Sequence, residues 1–208
     1  MSILTRLATA LNRRDEVPNQ ELAAEIVRKK DASAVRELVA NLANRDKGIQ
    51  SDCIKVLYEI GAREPKLIAK YSAVFGELLG GKNNRLVWGA MTALDQIALS
   101  APKEIHALLP KVIATANAGS VITRDHAVGI LTKLGTLKPY ADECFKLLIE
   151  QLKSSPNNQL PMYAEMSLAV GTDKNKPALH AVLTKRLGGL EKQSQRKRVE
   201  KVLKRLEA

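Results

Sequence analysis

The chain has 208 residues, 45% of them apolar and only 3% aromatic; that is enough Leu, Ala, Ile and Val for one sizeable core and too much for a disordered chain. The formal net charge is +11, and the two cysteines, Cys53 and Cys144, lie far apart in sequence, which is no disulfide framework and points to a reducing, cytoplasmic setting. The longest stretch without a charged residue, Val112 to Thr123, is 12 residues, well short of the ~20 apolar residues that span a bilayer.

The first fourteen residues, MSILTRLATALNRR, hold three arginines and no acid, a composition shared with organelle transit peptides. They read instead as a first amphipathic helix, with Ile3, Leu4, Leu7, Ala8 and Leu11 on one face and Ser2 as its cap. A second helical segment, Asn19 to Lys30, follows at once. From residue 32 onward the sequence repeats. Leu57, Leu94, Leu131 and Leu168 succeed one another at steps of 37 residues. So do Pro65, Pro102 and Pro139, the small residues Cys53, Ala90, Ala127 and Ala164, and the apolar residues Leu38, Phe75, Val112 and Ile149.

Each unit reads as two helices. Helix A runs for about four turns after the proline, as in PKLIAKYSAVFGELL, and a break such as Gly80-Gly81 or Ala118-Gly119 ends it. Helix B then carries the small residue and the leucine. One helical hairpin cannot bury its apolar face alone; stacked hairpins do, and the small residue lets their backbones approach. Four such repeats fill residues 32–173, after a helix pair in 1–31 and before a basic helix pair in 174–208. That makes about twelve helices in a single domain. Pro161, in the least regular unit, belongs in the first turn of its helix or shortens it.

On these residues the chain resembles the HEAT repeats of the armadillo/HEAT α-solenoid family, over roughly residues 32–190. The resemblance implies an all-α, right-handed α-α superhelix whose B helices line a concave binding surface. Such repeats serve many roles, so function has to come from the site.

Along helix B, positions 53, 54, 57, 60 and 61 form the apolar stripe. Position 51 lies about 120° from its centre. Its equivalents, Ser51, Trp88, Asp125 and Met162, share no apolar character and belong beside the exposed face. Lys55, Thr92 and Gly129 are expected at the most exposed position. Trp88, the single tryptophan, either packs flat over the seam between B helices or lines the groove and grips a ligand. Arg85, Trp88 and Asp125 are the candidate groove residues.

Trp88 and Asp125 also carry a more distant resemblance to DNA glycosylases built from HEAT-like repeats, which act on alkylated bases. It implies that Arg85 or Arg124 lies near phosphate. The chain departs from that pattern in having one tryptophan, with Asn84 and Thr92 rather than an acid one turn to either side. In TRDHAV, Arg124, Asp125 and His126 diverge by about 100° per residue on a helix and form no catalytic set. His106, His126 and His180 are far apart, and no cluster has metal-ligand spacing. Gly80-Gly81-Lys82 lacks both the GxxxxGK(S/T) frame and a preceding strand. No cofactor is expected, and the reading leans away from an enzyme.

Charge is concentrated at one end. Residues 1–63 carry 11 basic and 9 acidic side chains, residues 64–173 carry 11 and 10, and residues 174–208 carry 11 and 3. The last helix keeps Val199, Val202, Leu203 and Leu206 on one face and covers much of the rest with Arg196, Lys197, Arg198, Lys201, Lys204 and Arg205. It is either a polar cap on the repeat stack or a contact for a polyanion such as DNA or RNA. The function expected is a non-enzymatic scaffold binding a protein or polyanion along its B helices. The alternative is a nucleic-acid repair protein of the glycosylase type.

Overall fold

The repeated apolar positions are core positions. Cys53, Ala90, Ala127 and Ala164 are each 0% exposed, as are Leu57, Leu94 and Leu131. Leu168 is only half-buried, because its helix ends at Ser167 and tightens into a 3-10 turn, Leu168–Val170. The tighter pitch rotates the register, and Val170 takes the core place. Ile149 is likewise half-buried beside the buried Leu148 and Leu152.

The computed structural model describes residues 2–207, among which eleven α-helices and no strand occur. They are α1 (Val17–Lys29), α2 (Ala32–Ala40), α3 (Lys47–Arg63), α4 (Ser72–Leu78), α5 (Asn84–Ile97) and α6 (Pro102–Ala118), followed by α7 (Val121–Gly135), α8 (Ala141–Ser154), α9 (Leu160–Ser167), α10 (Lys176–Leu187) and α11 (Gln193–Glu207). From α2 onward the even-numbered helices are A helices; the odd-numbered are B helices. Two compact units make up the chain, Met1–His126 and Ala127–Ala208, with the division inside α7. In the first unit α1, α3 and α5 pack side by side, and α4 packs on α5 and α6. In the second, α9 packs on α11, and α10 packs on both α8 and α11.

Short polar side chains fix the helix starts. Asp31, Asp46 and Asn83 accept hydrogen bonds from first-turn amides of α2, α3 and α5, relieving donors that a helix leaves unpaired. Pro161 sits in the first turn of α9, which spans only 8 residues. Gly89 lets α5 close on α3, since a Cβ there would collide with Ile54.

Two segments depart from expectation. The N-terminal stretch forms a 3-10 turn, Ile3–Arg6, rather than a helix; Leu7 and Ala8 are buried while Leu11 is 50% exposed. The reason lies in distant side chains. The Ala8 amide donates to Asn19 Oδ1 at 3.0 Å and the Thr9 amide to Asp52 Oδ2 at 2.7 Å, so these amides are satisfied without a continued helix. Residues 65–71 form two 3-10 turns ahead of a short α4. Ile68 is drawn to full burial against Gly61, where it fills the space a side chain would occupy.

Burial, together with Asp52 and Glu37, pushes the Cys53 thiol up to about 12; burial and Glu143 push Cys144 up to about 11. Above the ordinary thiol range the unfolded chain releases protons that the folded chain keeps. Stability therefore falls as pH rises past about 9. Both thiols are also expected to resist a thiol-specific reagent at pH 8 and to react fully in denaturant, because the thiolate is the nucleophile. Rapid titration of either cysteine in the folded protein would contradict this.

Candidate binding groove

The B helices of the first unit line two recesses that share residues. Their N-terminal ends, with the loop before α1, line a groove of ≈ 940 Å³ that includes Arg14, Lys47, Ser51, Asn84, Arg85 and Trp88. A second recess of ≈ 320 Å³ shares Ser51, Arg85 and Trp88 and adds Ile54, Tyr58, Thr92 and Ile122. Trp88 is half-buried and lines both; Arg85 is exposed. Trp88 thus combines the two sequence-level alternatives: its ring is partly packed and partly open to a groove. Asp125 is half-buried on α7 and lines neither recess. Neither of these two recesses brings Trp88 and Asp125 together.

Lys55, Thr92 and Gly129 do not occupy the most exposed position. Gly129 is buried and Thr92 half-buried, while the Lys55 side chain is 12% exposed. Lys55 Nζ lies 2.7 Å from Glu16 and 2.9 Å from Glu59, with its charge 4.8 Å from the centre of the Tyr58 ring. Burial alone would lower the pKa of this ammonium, but the hydrogen bonds it donates to Glu16 and Glu59 outweigh it and hold the group above its ordinary range. Lys55 and Thr92 meet Glu16 and His126, partners distant in sequence that a wheel drawn for one helix does not show.

Sequence reasoning missed a polar network at the edge of the smaller recess. His126 Nδ1 lies 2.9 Å from Asp95 Oδ2, and His126 Nε2 lies 2.8 Å from Thr92 Oγ1. The Thr92 hydroxyl donates back to the Trp88 carbonyl at 2.9 Å. Its proton is thus held by its own helix, and the geometry is that of a brace between α5 and α7 rather than of an activated nucleophile. The only available signal was repeat register: His126 lies one 37-residue step after Gly89, a turn from Thr92. His126→Ala is expected to cost about 1–2 kcal/mol, or a fall of roughly 2–8 °C in melting temperature. Calorimetry would check it, and an unchanged Tm would remove the brace.

The second unit holds the basic terminus. Arg196 Nη1 donates to the carbonyls of Leu187 and Leu190 at 3.1 and 3.2 Å. Arg198 forms a two-pronged pair with Glu165 at 2.8 and 2.7 Å. Lys197, Lys201, Lys204 and Arg205 are exposed; Lys201 and Arg205 lie close enough to Glu165 to help Arg198 hold its carboxyl below the usual range. The six cations are thus split between internal bonds and open surface. Among the described residues no group of three or more His, Cys, Asp or Glu side chains is placed to hold a metal ion, and no helix is long and apolar enough to cross a membrane.

No family model and no curated protein matches the chain. Solved structures do. An engineered protein of 19% identity aligns over 100% of this chain and 97% of its own, with a TM-score of 0.66. A computationally designed armadillo repeat protein for modular peptide recognition aligns at 13% identity over 90% and 91%, with a TM-score of 0.67. A designed armadillo repeat protein in complex with the peptide (KR)4 aligns at 14% identity over 98% and 99%, with a TM-score of 0.66. The fold of this chain is accordingly that of all-helical armadillo/HEAT-like repeats.

Proposed function

We propose that this chain is a non-enzymatic interaction module whose first unit binds an extended segment of a partner protein across α1, α3 and α5, with Trp88 as the anchor. The position of Trp88 carries the reading: one rigid ring, half-buried, in the wall common to both recesses. Such a ring loses little entropy on binding and offers large contact area. Helices packed side by side are about 8–10 Å apart, and an extended chain advances about 3.3 Å per residue. Crossing three B helices takes about six residues. Designed repeat proteins of the same fold are described as recognising peptides, which supports a peptide rather than a small molecule here. Trp88 is the only tryptophan, so its emission reports the groove directly. Selection from a random peptide library should yield binders that shift this emission, and Trp88→Ala should abolish their binding in calorimetry. Absence of binders, or binders indifferent to Trp88→Ala, overturns the reading.

A second reading concerns α11. Lys197, Lys201, Lys204 and Arg205 stand exposed on one helix against the single nearby carboxylate of Glu165, which Arg198 already holds, a surface suited to weak, sequence-independent contact with a polyanion. Changing these four to Gln should remove any binding to duplex DNA or RNA seen at low salt. No binding by the unaltered chain makes the helix a solubilising cap.

A further inference from the structure

Five cations and three carboxylates line the wider groove, but they are not equally available. Asp15 holds both prongs of Arg13 at 2.8 Å. Glu16 is paired with Lys55 at 2.7 Å. Asp52 accepts the Thr9 amide through one oxygen and the Asn19 side chain through the other. Asp15 and Glu16 are thereby matched by cations of the chain itself, and both Asp52 oxygens are taken by neutral donors, which leaves its charge in place. Arg14, Lys47 and Arg85 remain, exposed and paired with no acid among the described residues. Their placement is regular: Arg14 precedes α1, Lys47 opens α3, and Arg85 stands in the first turn of α5.

Resting on the groove reading above, we propose that the segment bound is acidic, with carboxylates at about every third residue. One uncompensated cation stands at the start of each successive B helix. A step of about 8–10 Å between helices matches one turn, about three residues, of a polyproline-II-like extended chain, which rises ~3.1 Å per residue and returns every third side chain to the same face. Acidic side chains at that interval meet Arg14, Lys47 and Arg85 in turn, while the residues between lie along Ser51 and Trp88. A basic peptide such as the (KR)4 bound by one structural neighbour would be repelled here. Duplex nucleic acid fits less well. It carries a charge every ~1.7 Å of axis, against three widely spaced cations interleaved with Asp15 and Glu16.

The test uses the full chain and four probes. One is an eight-residue peptide with Asp at positions 1, 4 and 7 in a Ser/Ala background. The others are its Asn counterpart, an isomer with the three Asp contiguous, and a short duplex DNA. Emission of Trp88 and calorimetry are read at low and moderate salt. The spaced Asp peptide should bind about tenfold tighter than the Asn peptide, as three exposed ion pairs of modest strength imply, and the advantage should shrink with salt. The triple variant Arg14→Gln, Lys47→Gln, Arg85→Gln should erase it while circular dichroism stays unchanged. Equal binding of the Asn peptide, still dependent on Trp88, overturns the acidic preference and leaves the groove reading standing. Equal binding of the contiguous isomer overturns the spacing. Tighter binding of the DNA through the same three cations overturns the proposal in favour of nucleic acid. If no peptide, designed or selected, responds to Trp88→Ala, the groove reading itself falls.

Discussion

Replacing Arg186 with methionine should lower the stability of the folded chain by about 2 kcal/mol, within the range for a half-buried, charge-assisted cluster of hydrogen bonds that loses its donor. Arg186 donates to the carbonyls of Leu152 at 2.8 Å, Lys153 at 2.6 Å and Ser155 at 2.7 Å, and to Asn157 Oδ1 at 3.0 Å. The first two carbonyls belong to the last turn of α8, where a helix has no internal donors left. Burial lowers the pKa of this guanidinium, yet it stays charged far above neutral pH. Methionine keeps the apolar stem but strands the four acceptors. Lysine supplies a compact ammonium instead of a planar fork and should recover less than half the loss. Urea unfolding of the three proteins decides it. An Arg186→Met variant within 1 kcal/mol of the parent, on the order of an ordinary surface substitution, would show that water replaces the guanidinium without penalty.

Asn19→Ala should have a comparable effect, about 2–4 kcal/mol, through a different route. Asn19 is 1% exposed. Its Oδ1 accepts the Ala8 amide, and its Nδ2 donates to Asp52 Oδ1 at 2.8 Å. Truncation leaves a buried amide without an acceptor and half of a carboxylate without a donor. Because these bonds fasten residues 2–14, the loss should be local before it is global. Amide exchange at Ala8 and Thr9 should accelerate, and trypsin should cut sooner after Arg13 and Arg14. Those residues border the groove, so affinity for a groove ligand should fall as well. Unaltered exchange at Ala8 would show that Asn19 does not hold the segment.

The repeat and its core were legible because burial obeys a local rule. Cys53, Ala90, Ala127 and Ala164 recur at one offset and each is fully buried. The groove was partly legible: position 51 and its equivalents fall beside the apolar stripe, and Ser51 and Trp88 line both recesses. What could not be read is pairing between helices. Counted by sequence, residues 1–63 are nearly neutral, at 11 basic and 9 acidic. In space, Asp15 and Glu16 are matched internally by Arg13 and Lys55, which leaves Arg14 and Lys47 without an acid of their own. The reverse holds in α11, where Arg196 and Arg198 stand in a highly basic stretch but are bound to carbonyls and to Glu165. Lys55 and the His126 network belong with these, since each depends on a partner more than 30 residues away.

The two offsets 51 and 53 sit two residues apart in the same 37-residue frame, about 200° apart around the helix. One is sealed in all four repeats, as Cys53, Ala90, Ala127 and Ala164; the other stays half open, as Ser51, Trp88, Asp125 and Met162. Selection can therefore rewrite the second column without disturbing the first. An engineer could regraft the face of a single repeat under the same freedom and leave the sealed column intact.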